Sequence, residues 1–324
     1  MDKLFSIRQP ITEELALLNK TLTESLHTTS PLMNEVIQAY LESKGKQIRP
    51  ILVLLCAKLF GEVPREAIDA AASLEMLHNA SLIHDDVVDE SQKRRGLPTI
   101  NHLYDNRIAV LVGDYLLSKS VLLSTDNKDF DLLSVIARTI REMSEGELLQ
   151  LEKARKLDIT EDVYYEIIRQ KTATLIAACC EVGVLSNNVD ETTAKKMQEF
   201  GTYTGMAFQI KDDLFDYQTS NIIGKPVGID IKEQKMTLPL IYTLKNASPE
   251  NYKKYFATIK RYNNDSKKVR ELVEFVKSSG GMDYAITVMK DYQQKALDIL
   301  AEFPDNDAKK ALKLMLDYVI ERKL

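Results

Sequence analysis

Two short acidic runs carry the chemistry this sequence offers most plainly: Asp85-Asp86-x-x-Asp89 and Asp212-Asp213-x-x-Asp216, each in an otherwise apolar segment. On a helix the outer aspartates of each run stand four residues apart and share a face, with the middle one beside them. Like charges packed this closely raise one another's pKa unless a cation sits among them. A hard divalent ion is the natural guest, because Mg²⁺ takes oxygen ligands and is usually held by one or two carboxylates plus substrate phosphates. Two such triads facing each other would make a metal-bridged diphosphate cradle. The bland alternative is a solvated acidic face. Two copies, each entered by an apolar run and followed by a basic loop, weigh against it.

Cations stand where a polyanion would need them. Gly45-Lys46-Gln47-Ile48-Arg49-Pro50 places Lys46 and Arg49 in a turn before an apolar helix expected over 51–60, whose first N–H groups also favour an anion. Lys93-Arg94-Arg95 closely follows the first triad, the arrangement expected if a polyanion is clamped between metal and arginine forks. Lys171-Thr172, just before an apolar stretch, could bond a phosphate. Lys225, Lys232 and Lys235 fall in the longest central loop, 221–236, which reads as a lid over a phosphate site. His78 lies seven residues before Asp85, two turns away on a similar face, and is a candidate ligand contact. For each of these the competing reading is ordinary charged or polar surface.

The elements that must hold these groups are helices. With 12 glycines and 9 prolines in 324 residues, turns are too few for an all-β or doubly wound fold. Periodicity predicts helices over 11–27, 31–44, 64–91, 107–123, 131–156, 160–185 and 191–218, with amphipathic segments beyond Leu238. The triads fall near the ends of two long helices, as an internal duplication would give. With no linker or composition break, 1–324 is expected to be a single all-α domain.

The net charge of −5 argues against nucleic acid as a partner. Cys56, Cys179 and Cys180 fit no zinc spacing and read as buried apolar residues suited to a reducing cytoplasm. No signal-peptide stretch opens the chain, and no run of about eighteen uncharged apolar residues occurs. A soluble cytoplasmic protein without a transmembrane segment is therefore expected.

Taken together, Gly45-Lys46-x-x-Arg49-Pro50, Leu82-Ile83-His84-Asp85-Asp86-x-x-Asp89, Arg94-Arg95-Gly96-x-Pro98-Thr99, Gly113-Asp114, Lys171-Thr172, Gln209-x-x-Asp212-Asp213-x-x-Asp216 and Gly224-Lys225-Pro226-x-Gly228-x-Asp230 resemble the trans-isoprenyl diphosphate synthases. The resemblance implies an isoprenoid-synthase helical bundle around a central cavity, usually homodimeric, with about three Mg²⁺ between the triads. The implied reaction is head-to-tail condensation of isopentenyl diphosphate with an allylic diphosphate. By matching motif, Lys46, Arg49, His78 and Arg95 would hold isopentenyl diphosphate. Arg94, Lys171, Thr172, Gln209, Lys225 and Lys235, with the six aspartates Asp85, Asp86, Asp89, Asp212, Asp213 and Asp216, would serve the allylic diphosphate directly or through metal. Two departures stand out: Gln47 replaces a residue often basic, and Glu233-Gln234-Lys235 lacks a glycine often found before that lysine.

Cations around a departing diphosphate would stabilise the charge that develops as the allylic C–O bond ionises. Product length then depends on how far the tail can run. Where short-chain relatives place bulky aromatics one turn before the first triad, this chain has Ala80 and Ser81, while Leu117 and Val121 on a neighbouring helix are candidate floor residues. One turn rises about 5.4 Å, close to one isoprene unit, so an open path suggests roughly 35 to 50 carbons. Transient membrane contact for product release is compatible with such a product. A short-chain farnesyl or geranylgeranyl diphosphate synthase is the alternative. A class I terpene cyclase, a non-catalytic partner subunit and a bare Mg²⁺-binding scaffold fit less well, because both triads and the cations around them are intact.

Overall fold

Apolar residues at helical spacing build helices almost throughout. The computed structural model describes residues 3–42, 45–94, 96–218 and 228–321, with side chains in the first stretch for 3–39. Arg95, Lys225 and the 221–227 part of the expected lid lie outside the described residues. In chain order the helices are α1 (Lys3–Arg8), α2 (Thr12–Ser25), α3 (Pro31–Glu42), α4 (Ile48–Leu59), α5 (Arg65–Val88), α6 (Ile100–Leu103), α7 (Asn106–Asp126), α8 (Phe130–Lys156), α9 (Glu161–Ile168), α10 (Thr174–Leu185), α11 (Glu191–Phe215), α12 (Ile229–Lys232), α13 (Leu238–Lys245), α14 (Pro249–Arg261), α15 (Ser266–Ser278), α16 (Gly281–Ala301) and α17 (Asp307–Glu321). Among the described residues the strands are β1 (Lys93–Arg94) and β2 (Leu97–Pro98), an antiparallel pair pairing Arg94 with Leu97. Periodicity does not predict this hairpin, which is too short for an alternating pattern. The segment expected as one helix over 160–185 is interrupted by a π-helical turn, Arg169–Ala173. The expected lid contains α12.

The chain divides into two compact units, each discontinuous in sequence. The first comprises residues to Arg138, Ala178–Gln198 and Phe303–Leu312. Its centre is α4, buried from Pro50 to Ala57 and at Leu59, as a helix apolar all round must be. Each such Leu or Ile gains about 1.5–3 kcal/mol by leaving water. The carbonyls that the end of α4 leaves open are met by Asn187 Nδ2 on Ala57 O (2.9 Å) and Asn306 Nδ2 on Leu59 O (3.0 Å).

Beside α4, α5 and α7 run antiparallel. Ser73 Oγ donates to Ser120 O (2.5 Å), Asn127 Nδ2 donates to Asp69 Oδ2 (3.0 Å), and His84 meets Val110 and Gly113 further along. Small residues on both helices allow this close seam. α7 is long and apolar enough to cross a membrane by length and composition, with only a third of its most apolar stretch buried.

The second unit comprises Thr139–Ala177, Glu199–Glu302 and the chain from Lys313. Its core gathers Leu214 and Tyr217 with Leu238, Leu240, Ile259, Leu272 and Val276, all at most 1% exposed. Cys56, Cys179 and Cys180 are free and buried, as their apolar surroundings in the sequence suggested. Burial pushes the Cys179 thiol well up, and a hydrogen bond to Cys56 with burial does so for Cys180.

Candidate active site

In the first unit, α5 brings its triad to the helix end with Asp85 half-buried, Asp86 buried and Asp89 exposed. Arg94 on β1 clamps the middle carboxylate: Nε donates to Asp86 Oδ1 (2.9 Å) and Oδ2 (3.0 Å), and Nη2 lies 2.9 Å from Oδ1. Burial pushes the Asp86 carboxyl up, the Arg94 charge and hydrogen bond pull it back, and Asp89 adds a smaller upward push. The hairpin is tied to the triad by Asn101 Nδ2, which donates to Asp86 O (3.2 Å) and Ser91 O (3.1 Å), and by Thr99 Oγ1 on Ser91 O (2.7 Å). These bonds satisfy carbonyls left open where α5 stops.

Behind Asp85, the His84 ring lies over Gly113, where a Cβ would stand 2.2 Å from Nε2. Nε2 is 3.2 Å from Val110 O and 3.5 Å from Asp114 Oδ1. Gly113-Asp114, a motif without an individual role at the level of sequence, thus seats the residue beside the first triad.

Because α4 begins at Ile48, Arg49 sits in its first turn rather than in the preceding turn. Arg49 Nη1 is 2.8 Å from His78 Nε2. A guanidinium only donates, so Nε2 accepts and the ring is neutral with its proton on Nδ1. Lys46, exposed, precedes Gln47, whose φ of 52° lies in the left-handed region. Among the chain-length candidates, Ala80 is buried and Ser81 is half-buried with Oγ on His78 O (2.8 Å). Leu117 and Val121 are half-buried, Leu117 between the His84 and Ser73 levels of the seam and Val121 just past the latter.

In the second unit, Gly201 and Gly205 of α11 let that helix approach closely: Cβ atoms there would lie 2.6 Å from Ala177 Cα and 2.5 Å from Ala173 Cα. This contact brings Gln209 against the π-helical turn. Thr172 Oγ1 donates to Gln209 Oε1 (2.7 Å), Gln209 Nε2 to Asp213 Oδ1 (2.8 Å), and Tyr164 Oη to Asp213 Oδ2 (2.7 Å). Lys171 pairs with Glu147. Asp216 Oδ1 and Oδ2 accept the α12 amides of Ile229 (2.8 Å) and Asp230 (3.2 Å). Lys235 Nζ is 2.8 Å from Glu233, and Gln234, where the glycine is missing, takes a φ of 59°.

Burial pushes the Asp213 carboxyl up to about 7, against its bonds from Tyr164 and Gln209 and with help from Asp212 and Asp216. Asp230, pushed up to about 8, owes this first to burial, then to Asp213 and Asp216, with Lys235 opposing. Burial also raises Asp216 against the Ile229 and Asp230 amides.

Among the described residues, no three His, Cys, Asp or Glu side chains stand close enough to hold a metal by themselves. The donor set still fits a hard divalent cation. It is all oxygen, burial raises Asp86, Asp213 and Asp216, which a bound cation would oppose, and one or two protein carboxylates per ion suffice when phosphates complete the shell.

Two residues of this site escaped sequence reasoning as individuals. Tyr164 is 49 positions from its partner Asp213, a separation that spacing cannot reveal. Asp230 carried a signal as the last residue of Gly-Lys-Pro-x-Gly-x-Asp but received no role.

A profile of the polyprenyl synthetase family matches residues 30–276. The chain belongs to that family. It is therefore a polyprenyl synthetase-family prenyltransferase that performs prenyl diphosphate synthase condensation on the isoprenoid synthase fold. It is 33% identical to heptaprenyl diphosphate synthase component 2 of Bacillus subtilis (strain 168), over 97% of this chain and 89% of that one. It is 35% identical to a short chain isoprenyl diphosphate synthase of Methanothermobacter thermautotrophicus, over 86% and 87%. A crystal structure of polyprenyl synthase from Caulobacter crescentus CB15, complexed with calcium and isoprenyl diphosphate, superposes with a TM-score of 0.92 at 32% identity, covering 99% of this chain and 98% of that one. Long-chain relatives dominate, but short-chain ones match at similar identity.

Proposed function

We propose that this prenyltransferase condenses isopentenyl diphosphate head-to-tail with an allylic diphosphate, in the presence of Mg²⁺, to an all-trans polyprenyl diphosphate of about 35 to 50 carbons by turn counting. The observation that carries the long-chain reading is the seam in front of the first triad, where Ala80 and Ser81 offer no bulk. A Leu117 or Val121 floor is reached only further along α5.

Asp85, Asp89, Asp212 and Asp216, with access to solvent, are the aspartates we assign to direct metal contact; the buried Asp86 and Asp213 shape the charge around them. Mg²⁺, when bound, neutralises the departing diphosphate. Arg94, Lys171 and Lys235 already have carboxylate partners in Asp86, Glu147 and Glu233, so substrate phosphate competes with or joins those pairs. Lys225 belongs to the same set by motif. Lys46, Arg49 and Arg95 bind the isopentenyl diphosphate, with neutral His78 orienting the Arg49 guanidinium. Thr172 orients the Gln209 amide, which in turn donates to Asp213. The proton lost after condensation goes most simply to the released diphosphate.

The proposal includes a homodimer in the cytoplasm. The exposed Val110, Leu111 and Leu122 on α7 give an apolar face that a second copy would cover. A second reading, a catalytic subunit that works with a different chain, draws on the name of the Bacillus relative, a component 2. Chromatography of dephosphorylated products from isopentenyl diphosphate, an allylic starter and Mg²⁺ tests chain length. Products of 35 carbons or more, shortened by Ser81→Phe, are expected. Wild-type products stopping at about 15 or 20 carbons, or an active Ser81→Phe variant with unshortened products, would overturn the long-chain reading.

A further inference from the structure

The loop that carries Lys46 is held from outside the family's matched segment. Arg8, the last residue of α1, donates from Nη2 to Lys46 O at 2.9 Å. Gln47 Nε2 donates to Asn19 Oδ1 of α2 at 3.2 Å, and Asn19 Nδ2 is itself tied to Leu15 O at 2.8 Å. Neither Arg8 nor Asn19 lies within residues 30–276, where the family profile matches.

The loop needs this hold. Gln47 sits at φ 52° and ψ 40°, a left-handed conformation that a residue with a Cβ adopts only when its surroundings impose it, and it has no side-chain cap for α4. Its carbonyl nevertheless accepts from Ile51 N (3.1 Å), so the conformation of this one residue sets how Lys46 leaves the start of α4. The holding helices are anchored. Ile7, Ile11 and Leu18 are fully buried, and Glu14 of α2 meets Lys58 of α4 at 3.1 Å.

We propose that Arg8 is a positioning residue for isopentenyl diphosphate binding, assisted by Asn19. It acts through the Lys46 carbonyl to fix where the Lys46 ammonium stands relative to Arg49. This rests on the assignment of Lys46 and Arg49 to that diphosphate. Arg8 need not touch the substrate; its effect should travel wholly through Lys46.

A double-mutant cycle separates these possibilities. In Arg8→Ala, KM for isopentenyl diphosphate should rise roughly tenfold, the scale of one charge-assisted hydrogen bond, with kcat and the allylic KM within about twofold. Arg8→Ala/Lys46→Ala should then be no worse than Lys46→Ala alone. Gln47→Gly, which removes the left-handed penalty, should recover part of the Arg8→Ala loss. Independent, multiplying effects of Arg8→Ala and Lys46→Ala would show a direct contact and overturn positioning. An unchanged KM in Arg8→Ala, or equal losses for both substrates, would also overturn it. If Lys46→Ala itself leaves the isopentenyl diphosphate KM unchanged, the assignment of the site fails instead. If Arg8→Ala does not yield folded protein, Arg8→Met, which keeps the apolar stem, carries the same cycle and the same outcomes.

Discussion

The same five-residue acidic motif stands in two different electrostatic settings. In the first triad the buried middle aspartate, Asp86, is met by a full positive charge, Arg94, whose side chain is 37% exposed and can be drawn toward an incoming phosphate. In the second, Asp213 meets only neutral donors, Tyr164 and Gln209, and lies in a buried acidic group with Asp216 and Asp230. Both buried middle aspartates are raised by burial, but at Asp86 the Arg94 charge pulls back, whereas Asp213, at about 7, retains a proton near neutrality until a cation arrives. Identical sequence spacing specifies the helix face, while the surrounding elements decide the charge state.

The largest effects should be shared by both triads. Asp85→Ala and Asp212→Ala should each lower turnover by about 10³-fold or more while the helical circular dichroism stays unchanged. Near-normal turnover in either at saturating Mg²⁺ would reduce the comparison to one working site.

Partner removal should distinguish them. Arg94→Ala, which removes a charge available to the diphosphate, should cost about 10²-fold in turnover, whereas Tyr164→Phe, which leaves Gln209 on Asp213, should cost less than about tenfold. Equal losses would show that the neutral and charged partners do the same work.

The raised carboxyls of the second unit also make stability depend on pH. Asp213 and Asp230 have folded pKa values of about 7 and about 8, above their ordinary range, so the metal-free folded protein binds more protons than the unfolded chain between about pH 4 and 8. Their contribution is fully present below about pH 4 and is lost as pH rises through 7 to 8. Denaturation of metal-free protein should therefore show stability falling as pH rises across that window, a fall made shallower in Asp213→Asn and opposed by Mg²⁺. An unchanged slope in Asp213→Asn would place the proton elsewhere.

The smallest difference lies in packing. Gly205→Ala meets the Ala173 backbone, which cannot yield, and should destabilise by about 2 kcal/mol. Gly113→Ala meets the His84 ring, which can turn away at about 1 kcal/mol, so its larger effect should be on activity, through Asp85. Thermal melts and turnover on the two variants check this reversal.

Much of this site was legible because its groups recur at fixed local spacing. Asp85 with Asp89 and Asp212 with Asp216 lie four residues apart, and the helical period alone places each pair on one face, whereas Gln209 came with the family resemblance. The long helices were legible for the same reason. The hairpin at Arg94 was not, since two-residue strands leave no period, and neither was the π-helical turn that interrupts 160–185. Long-range partners such as Tyr164 for Asp213, His78 for Arg49 and Arg8 for Lys46 depend on how helices pack. Nothing in the local pattern encodes them.

The contrast between the triads turns on the Asp213 carboxyl of the second, which, at about 7, carries a proton near neutrality until a cation arrives. Calorimetry of Mg²⁺ with inorganic diphosphate near pH 7, repeated in buffers of different ionisation enthalpy, counts protons released on binding. Wild type and Asp86→Asn should release similar numbers, and Asp213→Asn measurably fewer. Equal release from wild type and Asp213→Asn, or a drop confined to Asp86→Asn, would contradict the assignment of that proton to the second triad.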